Sequence, residues 1–276
     1  MLQNNITMQN TVEDSLTQTA GSQYVISSAY RTLEILRAFS APPHRFSLAE
    51  LTGALKLDKG QTYRSLKTLE EAGFLRVGDD GRFSLTPLLH VLSAAASGAR
   101  SASLAEVAAP VLDRLAAETG ESVHLFARAG DQAVCIGLRE SRHPVRLSAA
   151  LGASAPLHAG ASPKAMLAFL PEGEQERILS ELADYPRYTD RTQLDPEVLR
   201  GVLAQVRADG YALSDEDVDA GAKGVGAPVF DLTGAVVGAI SVGGPSSRVD
   251  DVRLRTFGKL IVRGARAVSR SLGYAG

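Results

Sequence analysis

Apolar and polar positions divide the chain into a helical first third and a longer region where helix and strand periods alternate. Between residues 28 and 39, Ala29, Leu33, Leu36 and Phe39 recur at helical spacing with Ile35 beside them, which predicts an amphipathic helix. Ser47 with Glu50 three residues on is a capping-box pattern at the head of a second helix, SLAELTGAL. Lys56 and Leu57 separate it from a third helix, capped by Asp58 and ended near Gly73. At about 100° per residue, Thr62, Leu66 and Leu69 stack on one side of that helix. Gly60, Gln61, Arg64 and Thr68 share the other. Downstream, FLRV and RFSL flank the turn sequence GDDG, a two-strand hairpin. Three helices and a hairpin predict a winged helix-turn-helix over residues 24–86.

The polar face of the third helix suits the DNA major groove, with donors, a cation and a glycine that permits close approach. Gln61 can read adenine in bidentate fashion or contact phosphate. Lys59, Lys67 and the wing residue Arg82 are candidates for phosphate contacts. Against this stands the plainer reading of an amphipathic helix with a solvated outer face; the flanking helix and hairpin favour DNA.

Residues 1–23 are rich in Asn, Gln and Thr, lack a hydrophobic period, and read as a disordered tail. Ala/Leu-rich helical patterns follow the wing at 87–98 and 104–119. From residue 122 the period shifts to strands, over 122–130, 131–141 and 144–152, with Gly/Asp and His/Pro turns. Helices are expected at 162–170, 174–182 and 196–209, then a short strand at 211–214. A hairpin over 224–242 and a terminal helix over 250–272 complete an α+β domain.

The most informative stretch of this second region is PLHAGASPKA, residues 156–165. Ser162 is placed as an N-cap and Pro163 at the first helical position, where its missing N–H costs nothing. The positive helix end then faces a glycine-containing loop, a possible carboxylate site, or simply a capped helix.

Composition narrows the class. A length of 276 residues allows two cores. The formal net charge of −2 excludes a generally basic nucleic-acid binder, although residues 24–90 carry nine Lys/Arg against seven Asp/Glu. Cys135 is the only cysteine, so no intrachain disulfide forms and a reducing compartment fits. It sits on a strand pattern, as a buried apolar residue or as pocket lining. No signal-peptide pattern opens the chain, and the apolar run 224–244 is broken by Pro228, Asp231 and glycines, so a cytoplasmic protein is expected.

Catalytic patterns are weak. Ser241 in AISVG faintly resembles a nucleophile elbow, but the first glycine is absent and a hairpin surrounds it. His124, His143 and His158 have no nucleophile paired with them in sequence. Neither zinc spacing nor a phosphate-binding fingerprint is present, so no catalytic residue, metal or cofactor is expected.

The segment SLAELTGALKLDKGQTYRSLKTLEEAGFLRVGDDGRFSLTP resembles the N-terminal domain of the IclR family of bacterial transcriptional regulators. The resemblance continues through PVLDRLAAETGESVHL, PLHAGASPKAMLAFLP, RADGYALSDEDVDAG and APVFDLTGAVVGAISVGGP, covering about residues 27–273 in order. It implies a linker helix over 87–103 and a GAF/profilin-like effector domain over 104–276. It further implies a dimer or tetramer on a pseudo-palindromic operator, and a small organic or aromatic acid as effector. Arg64 matches the family's arginine, while Gly60 and Gln61 replace the usual Ser and Thr. The resemblance assigns Leu157, Gly160, Ala161 and Ser162 to the effector loop, with Gly160 for Thr and Pro163 for Gly. Ser241 and Gly243 match pocket positions, and Cys135 is a further lining candidate. Asp217 stands where a Glu is common, either in the pocket or as a solvated loop charge. The expected function is a ligand-responsive regulator, read as a repressor. The alternatives are a DNA-binding protein whose C-terminal domain only oligomerises, or a hydrolase using Ser241.

Overall fold

The computed structural model describes residues 25–40, 43–89, 92 and 103–276, in two compact units divided near residue 100. The expected tail lies outside the described residues, as does most of the expected linker helix, of which Leu88, Leu89 and Leu92 are helical.

In the N-terminal unit, α1 (Ser27–Ala38), α2 (Leu48–Leu55) and α3 (Lys59–Glu71) enclose a core of Ile35, Phe39, Leu51, Leu66, Leu69, Leu75 and Phe83. Leu33, placed on the core side by its spacing, is instead 56% exposed; Ile35 and Phe39 carry the buried face of α1. The capping box at Ser47 and Glu50 forms as its spacing predicts. Lys56, in the left-handed region at φ 50°, ends α2, and only Leu57 and the Asp58 cap precede α3. The wing has three strands rather than two. β1 (Arg45–Phe46) pairs with β3 (Phe83–Leu85), which pairs with β2 (Leu75–Val77), all antiparallel. Two residues are too few to display a period, so sequence could not announce β1.

The C-terminal unit is built on one antiparallel sheet of six strands in the order β6-β5-β4-β9-β8-β7. These strands are β4 (Ser122–Ala129), β5 (Gln132–Arg139), β6 (Ser154–Pro156), β7 (Ala212–Asp215), β8 (Ala222–Phe230) and β9 (Val236–Pro245). On one face, α4 (Leu104–Thr119) and α8 (Asp251–Ser271) bury Leu112, Leu115, Phe257 and Ile261 against Val123, Leu125, Val225 and Val242. The other face carries α5 (Ala161–Leu167), α6 (Glu172–Ser180) and α7 (Pro196–Asp209), whose core includes Met166, Ile178, Leu203 and Ala239. The alternation of β9 is the reason: Ile240 and Val242 point to the α4/α8 side, Ala239 and Ser241 to the other.

Two expectations need correction. The strand expected over 144–152 is irregular chain, and β6 begins only at Ser154. Its alternating apolar residues do not share one buried face: Val145 and Leu151 are exposed, while Ala149 is buried and Leu147 half-buried. Helix α5 starts one residue early, with Gly160 as N-cap at φ 89° and no side-chain cap, and stops at Leu167 rather than 170. Pro163 is thus the third helical residue, still within the turn whose N–H groups have no helical acceptor.

Candidate functional site

Helix α3 is held rigidly from behind. The Asp58 carboxylate accepts from Gln61 N–H at 2.8 Å, and Thr62 Oγ1 donates to the Asp58 carbonyl at 2.9 Å. Ser65 Oγ lies 2.9 Å from Thr32 Oγ1, pinning α3 to α1, while Leu66 and Leu69 enter the core. The opposite side is exposed at Lys59, Gly60, Tyr63, Arg64, Lys67 and Thr68, with Gln61 half-buried. Thr68 Oγ1 donates to the Arg64 carbonyl, and Lys67 Nζ pairs with Glu70 at 2.6 Å.

Arg82 is placed differently from an open wing cation. Its guanidinium donates to both Glu50 oxygens at 2.9 and 2.8 Å and tethers the wing to the cap of α2. Glu50 is held below the ordinary carboxylate range first by the Ser47 N–H and then by Arg82. Tyr63, 47% exposed on the outer face of α3, was not singled out in sequence; its place in the helical period was the available signal.

In the C-terminal unit the residues singled out converge on one face of the sheet. Gly226 on β8 pairs with Ser241 on β9, which pairs with His124 on β4. Directly paired residues share a face, so the three form a row across three strands. The start of α5 presses on this row: a Cβ at Gly226 would fall 2.7 Å from the Ala161 carbonyl carbon. Two residues further along β9, on the same face, a Cβ at Gly243 would fall 2.9 Å from Leu147 Cδ1. Leu157 is fully buried under α5, and Cys135, paired with Phe126, is buried with its thiol pushed up to about 11 by burial.

Asp217 is no solvated loop charge. It is 6% exposed, ion-paired to the buried Lys164 at 2.5 Å, and accepts Gly160 N–H at 3.1 Å and the Ser214 hydroxyl. Burial alone would raise its carboxyl, but Lys164, Ser214 and Gly160 outweigh it and hold the group below the usual range. The N-cap N–H at the head of α5, where an external carboxylate was one of two readings, is therefore taken by a carboxylate of the chain itself.

Beside this pair, His158 Nε2 donates to the Pro186 carbonyl at 2.9 Å, and its ring packs on Tyr185 and Tyr188. Three buried side-chain atoms have no hydrogen-bond partner among the described residues: His124 Nε2, His158 Nδ1 and Ser162 Oγ. The His124 imidazole is pushed down to about 4 by burial, against the opposing pull of Glu140. It is neutral at pH 7. No helix among the described residues is long and apolar enough to cross a membrane.

A winged helix-turn-helix with an exposed polar recognition face, in one chain with a sheet domain that gathers polar groups on a covered face, defines a DNA-binding regulator with a sensor domain. Residues 96–270 match the bacterial transcriptional regulator IclR C-terminal domain, and residues 28–78 match the IclR helix-turn-helix domain. The chain belongs to the IclR family, and is a ligand-responsive DNA-binding regulator rather than an enzyme. It is similar to the transcriptional repressor IclR of Escherichia coli (strain K12), 31% identical over 258 residues that span 92% of this chain and 93% of that protein. The crystal structure of Thermotoga maritima IclR superposes with a TM-score of 0.68 at 28% identity, over 90% of this chain and 99% of that one. An IclR homologue from Microbacterium hydrocarbonoxydans, crystallised with 4-hydroxybenzoate, shares the fold at a TM-score of 0.69 and 22% identity, over 89% of this chain and 98% of its own.

Proposed function

We propose that the chain is a cytoplasmic repressor. A dimer or tetramer sets α3 of two subunits into half-sites of a pseudo-palindromic operator, and a small organic acid bound in the sensor domain shifts its affinity. The domains are 24–86 for DNA, 87–103 as linker helix and 104–276 for the effector. On this reading Lys59, Gly60, Gln61, Arg64 and Thr68 meet the groove, with Lys67 and Arg82 beside the phosphates once their partners Glu70 and Glu50 yield. The effector lies against Ser241, Gly243, Ser162, Ala161, Gly160, Leu157 and Cys135, with Asp217 setting the loop from behind. The repressor named in E. coli supports the sense of regulation, and the 4-hydroxybenzoate held by the Microbacterium homologue supports the effector class. A ligand moves the equilibrium only as far as its affinity differs between the two states.

The observation that carries the reading is the division of α3 into a buried face and an exposed face bearing Lys59, Gly60, Arg64 and Thr68. Arg64→Ala should weaken operator binding about tenfold or more, with unchanged thermal midpoint and oligomer size. Fluorescence anisotropy with operator DNA measures it. Unaltered affinity would remove α3 from the groove.

A further inference from the structure

The charge of α8 bears on how the protein holds DNA, given the operator reading above, on which this inference rests. Outside that helix the C-terminal unit is acidic: residues 104–250 carry thirteen Lys/Arg against twenty-one Asp/Glu. Asp251–Ser271 reverses the balance, with six Lys/Arg and one Asp.

The cations are ordered along one line. At about 100° per residue, Arg255, Lys259, Arg263, Arg266 and Arg270 fall within an arc of roughly 80°. All five are exposed, while Leu254, Phe257, Ile261 and Val268 on the other side are buried in the core. The outer face of α8 is therefore a fixed stripe of positive charge about 22 Å long. Elsewhere in this unit exposed guanidiniums hold acids, as Arg177 holds Asp131, Arg191 holds Asp215 and Arg200 holds Glu176. None of the five on the stripe has an ion-pair partner among the described residues. Asp251, the one acid of α8, pairs with Lys223. Glu118 of α4 lines a groove with Arg114 and Arg263 but forms no ion pair with either.

The arrangement works against the helix itself. Arg255 and Lys259, Lys259 and Arg263, and Arg266 and Arg270 are like charges four residues apart, which repel. The helix dipole favours only cations of the last turn, here Arg270. An anion from outside would offset the repulsion.

The stripe lacks an apolar centre, since no large hydrophobic residue between Arg255 and Arg270 is exposed. A protein partner would want such a centre, and a membrane surface would want apolar side chains to insert. Nucleic-acid contacts are polar and rich in positive charge. Guanidiniums, four of the five groups here, match phosphate with paired hydrogen bonds. Duplex DNA presents one negative charge per about 1.7 Å of its axis, enough to face the whole stripe.

We propose that the outer face of α8 is a second DNA-contact surface, which grips the phosphodiester backbone of the duplex flanking the operator without reading its bases.

Anisotropy titrations of the full chain test this. A duplex cut to the operator half-sites is compared with the same duplex extended at each end by about two helical turns of random sequence. At low salt the flanks should tighten wild-type binding about tenfold and steepen the log–log salt slope by about 2, the yield of two or more further phosphate contacts. The combined variant Arg255→Gln, Lys259→Gln, Arg263→Gln and Arg266→Gln should lose both gains and keep wild-type affinity for the short duplex. It should melt at or above the wild-type temperature, because like charges are removed from an exposed face. Arg263→Lys with Arg266→Lys, which keeps the charge, should retain the flank effect. Flanks that add nothing to wild-type binding, or a neutralised variant that gains from them as the wild type does, would overturn the proposal and leave α3 on the operator. A changed oligomer size in the neutralised variant would assign the stripe to a second copy of the chain, also overturning it. If the wild type binds the short operator no better than random sequence, the operator reading falls and this inference with it.

Discussion

At the scale of single residues, the largest revision concerns Asp217. Its neighbours Asp215 and Glu216 gave it the look of a loop charge, yet it reaches the N-cap of α5 and the ammonium of Lys164. Removing one member of a buried ion pair strands the other, so Asp217→Ala should destabilise the protein by roughly 3 kcal/mol. Thermal denaturation at pH 7 checks it, and a loss under about 1 kcal/mol would mean that water replaces the carboxylate. The sign with pH follows from the depressed carboxyl. Its contribution is fully present above the ordinary value of 3.8 and is lost as pH falls through the lower value in the folded chain. The variant should therefore show a shallower acid limb than the wild type. His124 was equally hidden, because burial of an isolated histidine cannot be read from its strand neighbours.

At the scale of elements, legibility followed local signals. Helix α7 was placed to the residue because Pro196 opens it and Gly210 closes it in the left-handed region at φ 78°. The Asp58 cap of α3 and the box at Ser47 were equally local, and both formed. The misplaced strand at 144–152 and the start of α5 depended instead on what lay across the fold. Ser162 looks like a cap, but Ala161 is drawn into the helix where β8 passes beneath it. That close approach yields a test. Gly226→Ala would drive a methyl into the Ala161 carbonyl, shifting α5 and destabilising the domain by about 1–3 kcal/mol. Effector response should weaken while DNA affinity persists; unchanged stability and response would show that the sheet and α5 are loosely opposed.

At the scale of the whole molecule, the two proposed binding surfaces differ in electrical character. The near-neutral total of −2 hides them. If two copies each set Lys67 and Arg82 beside phosphates, operator affinity should fall with a log–log salt slope of about −3 to −4. Anisotropy titrations from low to moderate salt measure it, and a slope near zero would leave these two cations without a role in binding. Family, fold and regulatory class were readable from the sequence because they rest on ordered blocks of local pattern. Which groups stay unpaired inside was not, since that depends on every neighbour at once.

The Lys164–Asp217 pair carries a consequence for how the protein meets a changing cell. Buried as it is, that pair is screened far less by dissolved ions than the exposed cations of α3 are. On the proposed reading, a rise in salt would loosen the operator while leaving the loop at α5 set as before. Salt stress would then mimic an inducer, and a gene held down by this protein would stir with no metabolite to detect.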